Sequence, residues 1–504
     1  MLLLPLLACT GPDAEDPIVY AFPEGFRWGA ASAAHQIEGG NTNNNWYQFE
    51  TLPAFAGLTA SPSGEAVQGY ARYEDDADLL VELGADVYRL SIEWSRVEPS
   101  RGTWDEAEWA HYRAVLEALR ARGIEPMVTL HHFTEPIWVQ DLADLECAGG
   151  PTDANLCGWT NPDVPAEFAE FSAEAALRFG DLVDEWTTFN EPGGYLLSGY
   201  LGGIFPPGEF NLSGADIQAN VIPVAVGLAD GHAAAYAAVK AADLVDADGD
   251  GVVARVGFTN SIQWITPVDP DSAEDVAAAA RLQSLYGFIF PDAVVLGLLD
   301  RDLDGVPEEV HPEWANTTDL LGYQYYFRLF VKAADGFPPL DAIPCDPAVL
   351  TIIGMDLESV GCPEPHPDDV TDMSNENYSP GLGLLAPVLA ARYPGVPLRV
   401  TEAGIATDNG RRRAESIVRE LMGLHTAIGE GAPVDGYIHW SLTDNFEWAH
   451  GFAPRFGLYS VDFATYDRAP NEGADVFAQV IADNGIRQSV LDAYGKGEHL
   501  SAEE

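Results

Sequence analysis

Positive charge is what this chain has least of. Its 504 residues include 25 Lys and Arg against 79 Asp and Glu, a formal charge of −54. Only three of the cations are lysines: Lys240, Lys332 and Lys496. So acidic a surface repels phosphate backbones and anionic headgroups, which excludes nucleic-acid binding and electrostatic adhesion to membranes. The acids are spread along the whole chain, so they read as a solvated surface suited to salty water, where self-repulsion is screened. Long hydrophobic runs are missing too. The run MLLLPLLAC at the start is too short to cross a bilayer as a helix. Cysteine is scarce: five occur, and the four beyond Cys9 have no His at zinc-like spacing. What is present is ample core material, 47% hydrophobic residues with 21% charged. The length would suit two or three domains, but α/β barrels often run long as one.

The four later cysteines form two local pairs, Cys147 with Cys157 and Cys345 with Cys362, each in a polar, loop-like segment. An even count in loops fits disulfides in an oxidising compartment. The start of the chain agrees with export. Leu6-Leu7-Ala8 before Cys9 resembles the end of a bacterial lipoprotein signal, without its basic first segment. Pro5 and Pro12 argue against a buried helix there. The expectation is therefore export to the bacterial cell envelope, with a lipid on Cys9 as the only membrane link.

No fixed-period repeat occurs, but an architectural one does. Short apolar or β-branched runs lie at residues 26–32, 86–92, 125–131, 185–190, 254–260, 319–326, 398–404 and 435–441. Amphipathic helix patterns separate them, such as AEWAHYRAVLEALRARG, which ends at Gly123 as a C-terminal cap. Eight strands in strand-helix order predict a single (β/α)8 barrel. The gaps 33–68, 141–162, 191–220 and 333–380 read as insertions on its loop face.

The strand ends carry the chemistry. At or just past them stand Gln36, Arg89, His132, Asn190 with Glu191, Asn260, Tyr326, Glu402 and Trp440. In a barrel these ends share one crevice, where active sites sit. A satisfied core histidine or an internal salt bridge explains any one of them; together they point to a site. Glu191 and Glu402 end strands four and seven, across the barrel from each other. Two carboxylates flanking one bond suit glycoside hydrolysis, one protonating the leaving oxygen and the other attacking the anomeric carbon. Their environments must then differ, so that one keeps its proton. Arg89 is a natural stabiliser of an ionised Glu402. Pro192 with Gly193-Gly194 would fix the backbone beside Glu191 and leave space for a leaving group.

These residues also carry a resemblance over about Phe22 to Phe463. The chain is similar to family 1 glycoside hydrolases, the β-glucosidase family. FPEGFRWGAASAAHQIEGG resembles that family's N-terminal signature, and YRLSIEWSRVEP its second-strand motif. TFNEP matches its acid/base motif, VTEAG resembles its nucleophile motif, and HWSLTDNFEWAHGFAPRFGLYSVDF resembles its closing strand and sugar-binding loop. The resemblance implies Glu191 as acid/base, Asn190 on the sugar 2-hydroxyl, and Glu402 as nucleophile, oriented by Arg89 and Tyr326. It implies Gln36, His132, Trp440, Glu447 and Trp448 as the glycone site, with Trp440 as stacking floor. It also implies a retaining mechanism, with carboxyl groups about 5–5.5 Å apart, no required cofactor, and a β-linked oligosaccharide or an aryl or alkyl β-glycoside as substrate. On this reading residues 1–9 are signal, 10–21 linker, 22–485 the glycosidase domain and 486–504 a tail.

Two positions depart from the family pattern: Ala403 replaces the usual Asn beside the nucleophile, and Gln324 gives QYY where NYY is usual. The loop NFEWAHGFAPRFG offers Glu447 and no Lys, which suits a neutral hydroxyl and repels a sugar phosphate. Asp246, Asp248 and Asp250, like Asp300, Asp302 and Asp304, alternate ahead of a Gly as in the first half of a calcium loop, without the completing Glu. Solvated acidic turns explain them as well, and calcium there would be structural only. A sugar-binding lipoprotein that has lost catalysis, or an enzyme that mainly transfers the sugar to an alcohol, are the other readings. Glycone preference and oligomeric state stay open.

Overall fold

The computed structural model describes residues 16–501, apart from Glu146, Leu212, 336–338 and Ile353. Cys9 and the rest of the expected signal segment lie outside the described residues. All eight expected strands form: β1 (Arg27–Ala31), β2 (Val87–Ser91), β3 (Glu125–His131), β4 (Glu185–Asn190), β5 (Arg255–Ser261), β6 (Leu320–Tyr325), β7 (Leu398–Ala403) and β8 (Val434–Trp440). They close into one barrel in chain order, with β8 pairing β1 and every pairing parallel. The strands are buried on both faces, so polar residues such as Arg89, Thr187 and Thr259 point inward and still vanish from solvent. That is why they read as near-continuous runs and not as alternating ones.

Eight principal helices wrap the barrel: α1 (Gly69–Leu83), α2 (Glu106–Ala121), α3 (Val164–Phe179), α4 (Ile222–Ala242), α5 (Ala273–Gln283), α6 (Pro380–Arg392), α7 (Gly410–Gly429) and α8 (Glu472–Asp483). Their starts show the expected chemistry. The Asp105 carboxylate caps the Ala107 and Glu108 N–H groups, and Asn409 and Asn471 cap α7 and α8. Gly123, with φ of 77°, supplies the left-handed turn after α2.

The two ends of the barrel differ in kind. The N-terminal end is tied by charge: Arg27 pairs with Glu125, and Arg399 with Glu185 and Asp435. Burial alone would raise Glu185, but the guanidiniums of Arg399, Arg27 and Arg255 hold its carboxyl below the usual range. The C-terminal end carries the insertions and the crevice. Among them is a three-stranded sheet of Trp264–Pro267, Arg328–Ala333 and Ala342–Pro344.

The chain ends differ from expectation. Ile18–Ala21, placed in a linker, is a strand paired antiparallel with Gly485–Arg487. A further helix, Gln488–Tyr494, follows in what was read as a tail. The boundaries drawn at 22 and 485 cut through this pairing, and the folded unit extends past both. Both cysteine pairs lie at disulfide distance, with Cα separations of 5.9 Å for Cys147–Cys157 and 5.7 Å for Cys345–Cys362.

Candidate active site

The crevice at the C-terminal end of the barrel encloses about 780 Å³ together with its mouth. Gln36, His132, Asn190, Glu191, Tyr326, Glu402, Trp440, Glu447 and Trp448 all line it. Arg89 lies just beneath, fully buried.

The turn at Glu191 explains the odd strand end. Asn190 closes β4, and Glu191 then takes a left-handed φ of 45°. That conformation swings the chain out of the barrel while the Glu191 N–H still reaches the Thr259 carbonyl at 2.8 Å. Pro192 follows at the first position of a short helix, where a missing N–H does no harm. The two glycines have reasons unlike the expected one. A Cβ on Gly193 would sit 2.2 Å from the Tyr286 carbonyl oxygen, and one on Gly194 would sit 3.0 Å from the Glu191 carboxylate. The room they leave is taken by the Tyr286 backbone and by the Glu191 side chain itself, not by a leaving group.

The two carboxylates occupy different environments. Arg89 pairs with Glu402 through Nη1, and the Tyr326 hydroxyl donates to the other carboxylate oxygen at 2.5 Å. Burial pushes both carboxyl groups up. At Glu402 the Arg89 guanidinium and the Tyr326 phenol oppose that push directly. Glu191 has weaker help. Burial, and then the negative charge of Glu402, raise it to about 8 against Arg89 and a hydrogen bond from Ser261. Glu402 therefore ionises first and Glu191 keeps a proton near neutrality, the division of labour that acid/base and nucleophile roles require.

Asn190 is oriented by its oxygen. Its Oδ1 accepts from Arg89 Nη2 at 2.6 Å, from Gln324 Nε2 at 2.8 Å and from the Thr259 hydroxyl at 3.1 Å. The amide N–H group is left to face the crevice as a donor. Gln324, the departure from the family's Asn, thus still serves the site by fixing this amide. On the opposite wall Gln36 donates to the Phe446 carbonyl at 2.8 Å, while its Oε1 is buried without a protein partner. The Nδ1 of His132 is likewise unpartnered, and burial with the Arg89 charge holds that ring well below its ordinary pKa, hence neutral. Glu447 is raised to about 8 by burial and by the Glu402 charge. The Trp440 ring lies near-parallel to the His132 ring, centroids 6.0 Å apart, and forms a flat apolar wall. Unsatisfied polar atoms around an aromatic face are a surface that reads hydroxyls on one side and C–H groups on the other.

Several contributors went unread in the sequence. Ser261 supports Glu191, and its hydroxyl lies 3.0 Å from the Tyr286 hydroxyl. Gln263 accepts from the Tyr326 and Phe327 N–H groups, both at 3.0 Å, and so places the phenol that holds Glu402. Ser261 closes β5 and Gln263 stands two residues past it, so the strand-end rule could have found them. Tyr286 lies in a π-helical turn, Ser284–Phe288, that continues directly from α5, and carried no such signal. Asn260, singled out by that rule, does not line the crevice; it ties the Gly193 N–H and the Gly287 carbonyl together.

The acidic half-loops lie elsewhere. Carboxylate oxygens of Asp300, Asp302 and Asp304 come within 4.8 Å of one another, as do those of Asp184, Asp246 and Asp248. Asp250 does not join: it pairs with Arg255, and the unforeseen Asp184 takes its place. Each loop is held by backbone N–H groups donating to its own carboxylates, among them Gly249 and Gly251 to Asp246 and Gly305 to Asp300.

Comparison with known proteins agrees with this geometry. The chain is 32% identical to the β-galactosidase of Pyrococcus woesei, over 94% of this chain and all of that protein. It is 29% identical to β-glucosidase 47 of Arabidopsis thaliana, over 92% of this chain and 85% of that protein. The structure superposes on the β-glycosidase from Pyrococcus horikoshii with a TM-score of 0.78, at 30% identity, covering 95% and 99% of the two chains. It superposes on a family 1 β-glucosidase from Thermotoga maritima with a TM-score of 0.76, at 25% identity, covering 93% and 100%. The model of glycosyl hydrolase family 1 matches residues 19–486, and the chain belongs to that family.

Proposed function

We propose that the protein is a retaining β-glycosidase that removes terminal β-D-glucosyl or closely related residues by double displacement. The observation that carries this reading is the pairing of a proton-holding Glu191 with a guanidinium-bound Glu402 in one crevice. Glu191 gives its proton to the glycosidic oxygen while Glu402 attacks the anomeric carbon from the opposite face. The C–O bond to the aglycone breaks and a covalent glycosyl-Glu402 forms. Glu191, now ionised, takes a proton from water, and the resulting hydroxide equivalent releases the sugar with its original configuration. Asn190 donates to the 2-hydroxyl, where bonds strengthen in the transition state. Gln36, His132 and Glu447 read the outer hydroxyls over the Trp440 face. Carboxylates do both the proton transfer and the attack, so the chemistry requires no cofactor. Retention of the whole nucleophile assembly (Glu402, Arg89 and Tyr326) favours catalysis over a binding-only role, which needs no nucleophile.

A panel of nitrophenyl glycosides tests this. Turnover of β-glucoside or β-galactoside, with the α-anomers untouched, is the expected result. Inactivity on every β-glycoside would reject it. The two disulfide-distance pairs support an oxidising compartment, and with it the exported placement.

A further inference from the structure

The C-terminal tail meets the rest of the fold at a side-chain cluster that the chemistry of the crevice does not use. After the helix Gln488–Tyr494 the chain reaches the short turn Pro367–Asp369, part of the 333–380 insertion. There the Leu500 N–H donates to Asp369 Oδ1 at 3.0 Å, and His499 Nδ1 lies 2.6 Å from Asp369 Oδ2. The His366 ring stacks on the His499 ring, centroids 3.6 Å apart and 8° from parallel. His366, Asp369 and His499 each offer one ligand atom, and the three atoms lie within 4.8 Å of one another. The acids Asp368 and Glu498 add negative charge around the His499 ring.

We propose that His366, Asp369 and His499 bind one zinc ion, which fastens the C-terminal tail to the loop leading into the crevice wall. The donor set decides the metal. Two imidazoles and a carboxylate suit zinc, whereas calcium and magnesium take oxygen ligands. Three protein ligands leave the fourth tetrahedral position to water. Ligands of a tetrahedral zinc stand about 3.4 Å apart, so rotation of side chains is enough to close the cluster around an ion. An ion must also lie in the plane of each ring it binds, so the stacked pair has to fan apart. The His366 ring is the one placed to turn. Its Nδ1 accepts from the Asp368 N–H at a long 3.3 Å, whereas His499 is fixed by Asp369 at 2.6 Å. The His366 and His499 side chains are 43% and 37% exposed, so an ion enters without any unfolding. The effect is mechanical: Asp369 and His499 are 130 residues apart in sequence, and Thr371 and Met373, just after Asp369, line the crevice. His499 lies beyond residues 19–486, so the family match does not account for the site. Nor does the proposal depend on the glycosidase reading, because the ion takes no part in the chemistry of the crevice.

Calorimetric titration of the full chain with zinc chloride, after treatment with a chelator, tests this. One zinc per chain should bind in the micromolar range or tighter, and calcium at the same concentration should not displace it. His366→Ala and His499→Ala alter exposed side chains on which the barrel does not depend. Each should weaken zinc binding by at least about tenfold. A second readout follows the tail itself. Lys496 is exposed, and trypsin cuts after it only when the tail opens. Zinc at about ten times its Kd should slow that cut about tenfold in the native chain, and not in His499→Ala. Zinc that binds both variants as well as the native chain lies elsewhere, and that result would overturn the site. No binding at millimolar zinc would overturn it too. Binding that leaves the tryptic cut unchanged would overturn the fastening of the tail.

Discussion

At Glu191 function and stability pull in opposite directions. The side chain is held in a left-handed backbone conformation and buried beside a second carboxylate, with its pKa raised to about 8. A carboxyl raised in the folded state binds its proton more tightly there than in the unfolded chain. Stability is then lost as pH climbs from the unfolded value near 4.5 through the folded value near 8. Glu191→Gln removes that penalty. It should raise the melting temperature at pH 8, by the equivalent of a few kcal/mol at most, and leave it unchanged at pH 4, where the native side chain is protonated in both states. Thermal unfolding of the pair at the two pH values checks this; equal effects at both would contradict the raised pKa. The same shift shapes turnover. kcat/KM should fall as pH rises through about 8, when Glu191 loses its proton, and fall again in acid as Glu402 gains one. Tyr326→Phe should lower kcat by about ten- to a hundredfold by removing the donor on Glu402. It should also move the acid limb of the pH profile to higher pH, because the ionised carboxylate loses support.

At the scale of elements, the strands were legible and their surroundings less so. β4, β6 and β7 announced themselves because an apolar run ended on or beside a residue that no core would choose, Glu191, Tyr326 or Glu402, and β2 because Arg89 stands in the middle of its run. The three-stranded sheet of Trp264–Pro267, Arg328–Ala333 and Ala342–Pro344 did not. Trp264–Pro267 is half-buried throughout and Ala342–Pro344 has only three residues, so neither offers a clear alternation. The terminal pair Ile18–Ala21 with Gly485–Arg487 was missed for another reason: its partners are the two ends of the chain, and its outer residues face solvent. Tyr286 was invisible because it is placed by tertiary packing against Gly193 and not by a motif. Asn260 shows the converse error, a strand-end polar residue spent on backbone hydrogen bonds. The Cys345–Cys362 link closes a local loop next to the short strand Ala342–Pro344. Replacing both cysteines by Ser should leave the barrel's melting temperature within about 3 kcal/mol equivalent, the entropy of so short a loop. It should expose residues 345–362 to proteolytic nicking. Limited proteolysis with and without the link reads this directly; an unchanged cleavage pattern would show that packing alone holds the loop.

The whole molecule carries −54 formal charges, and repulsion among them opposes compactness. Salt screens that repulsion, with a Debye length of about 30 Å at 0.01 M and about 3 Å at 1 M. The melting temperature should therefore rise with sodium chloride across this range, and a melting temperature indifferent to salt would mean that the acids are already locally neutralised. In the proposed mechanism the barrel also sets how the two glutamates divide their work, because strands four and seven bring them into one crevice. The measurement that tests this most directly follows Glu191→Ala with an activated nitrophenyl β-glucoside. Nitrophenol leaves without protonation, so the first step survives while the second loses its base. Intact mass should show a glucosyl adduct, peptide mapping should place it on Glu402, and azide should release it as the β-glucosyl azide. An adduct on another residue, or an α-configured azide product, would contradict the assignment of Glu402 as nucleophile and Glu191 as acid/base.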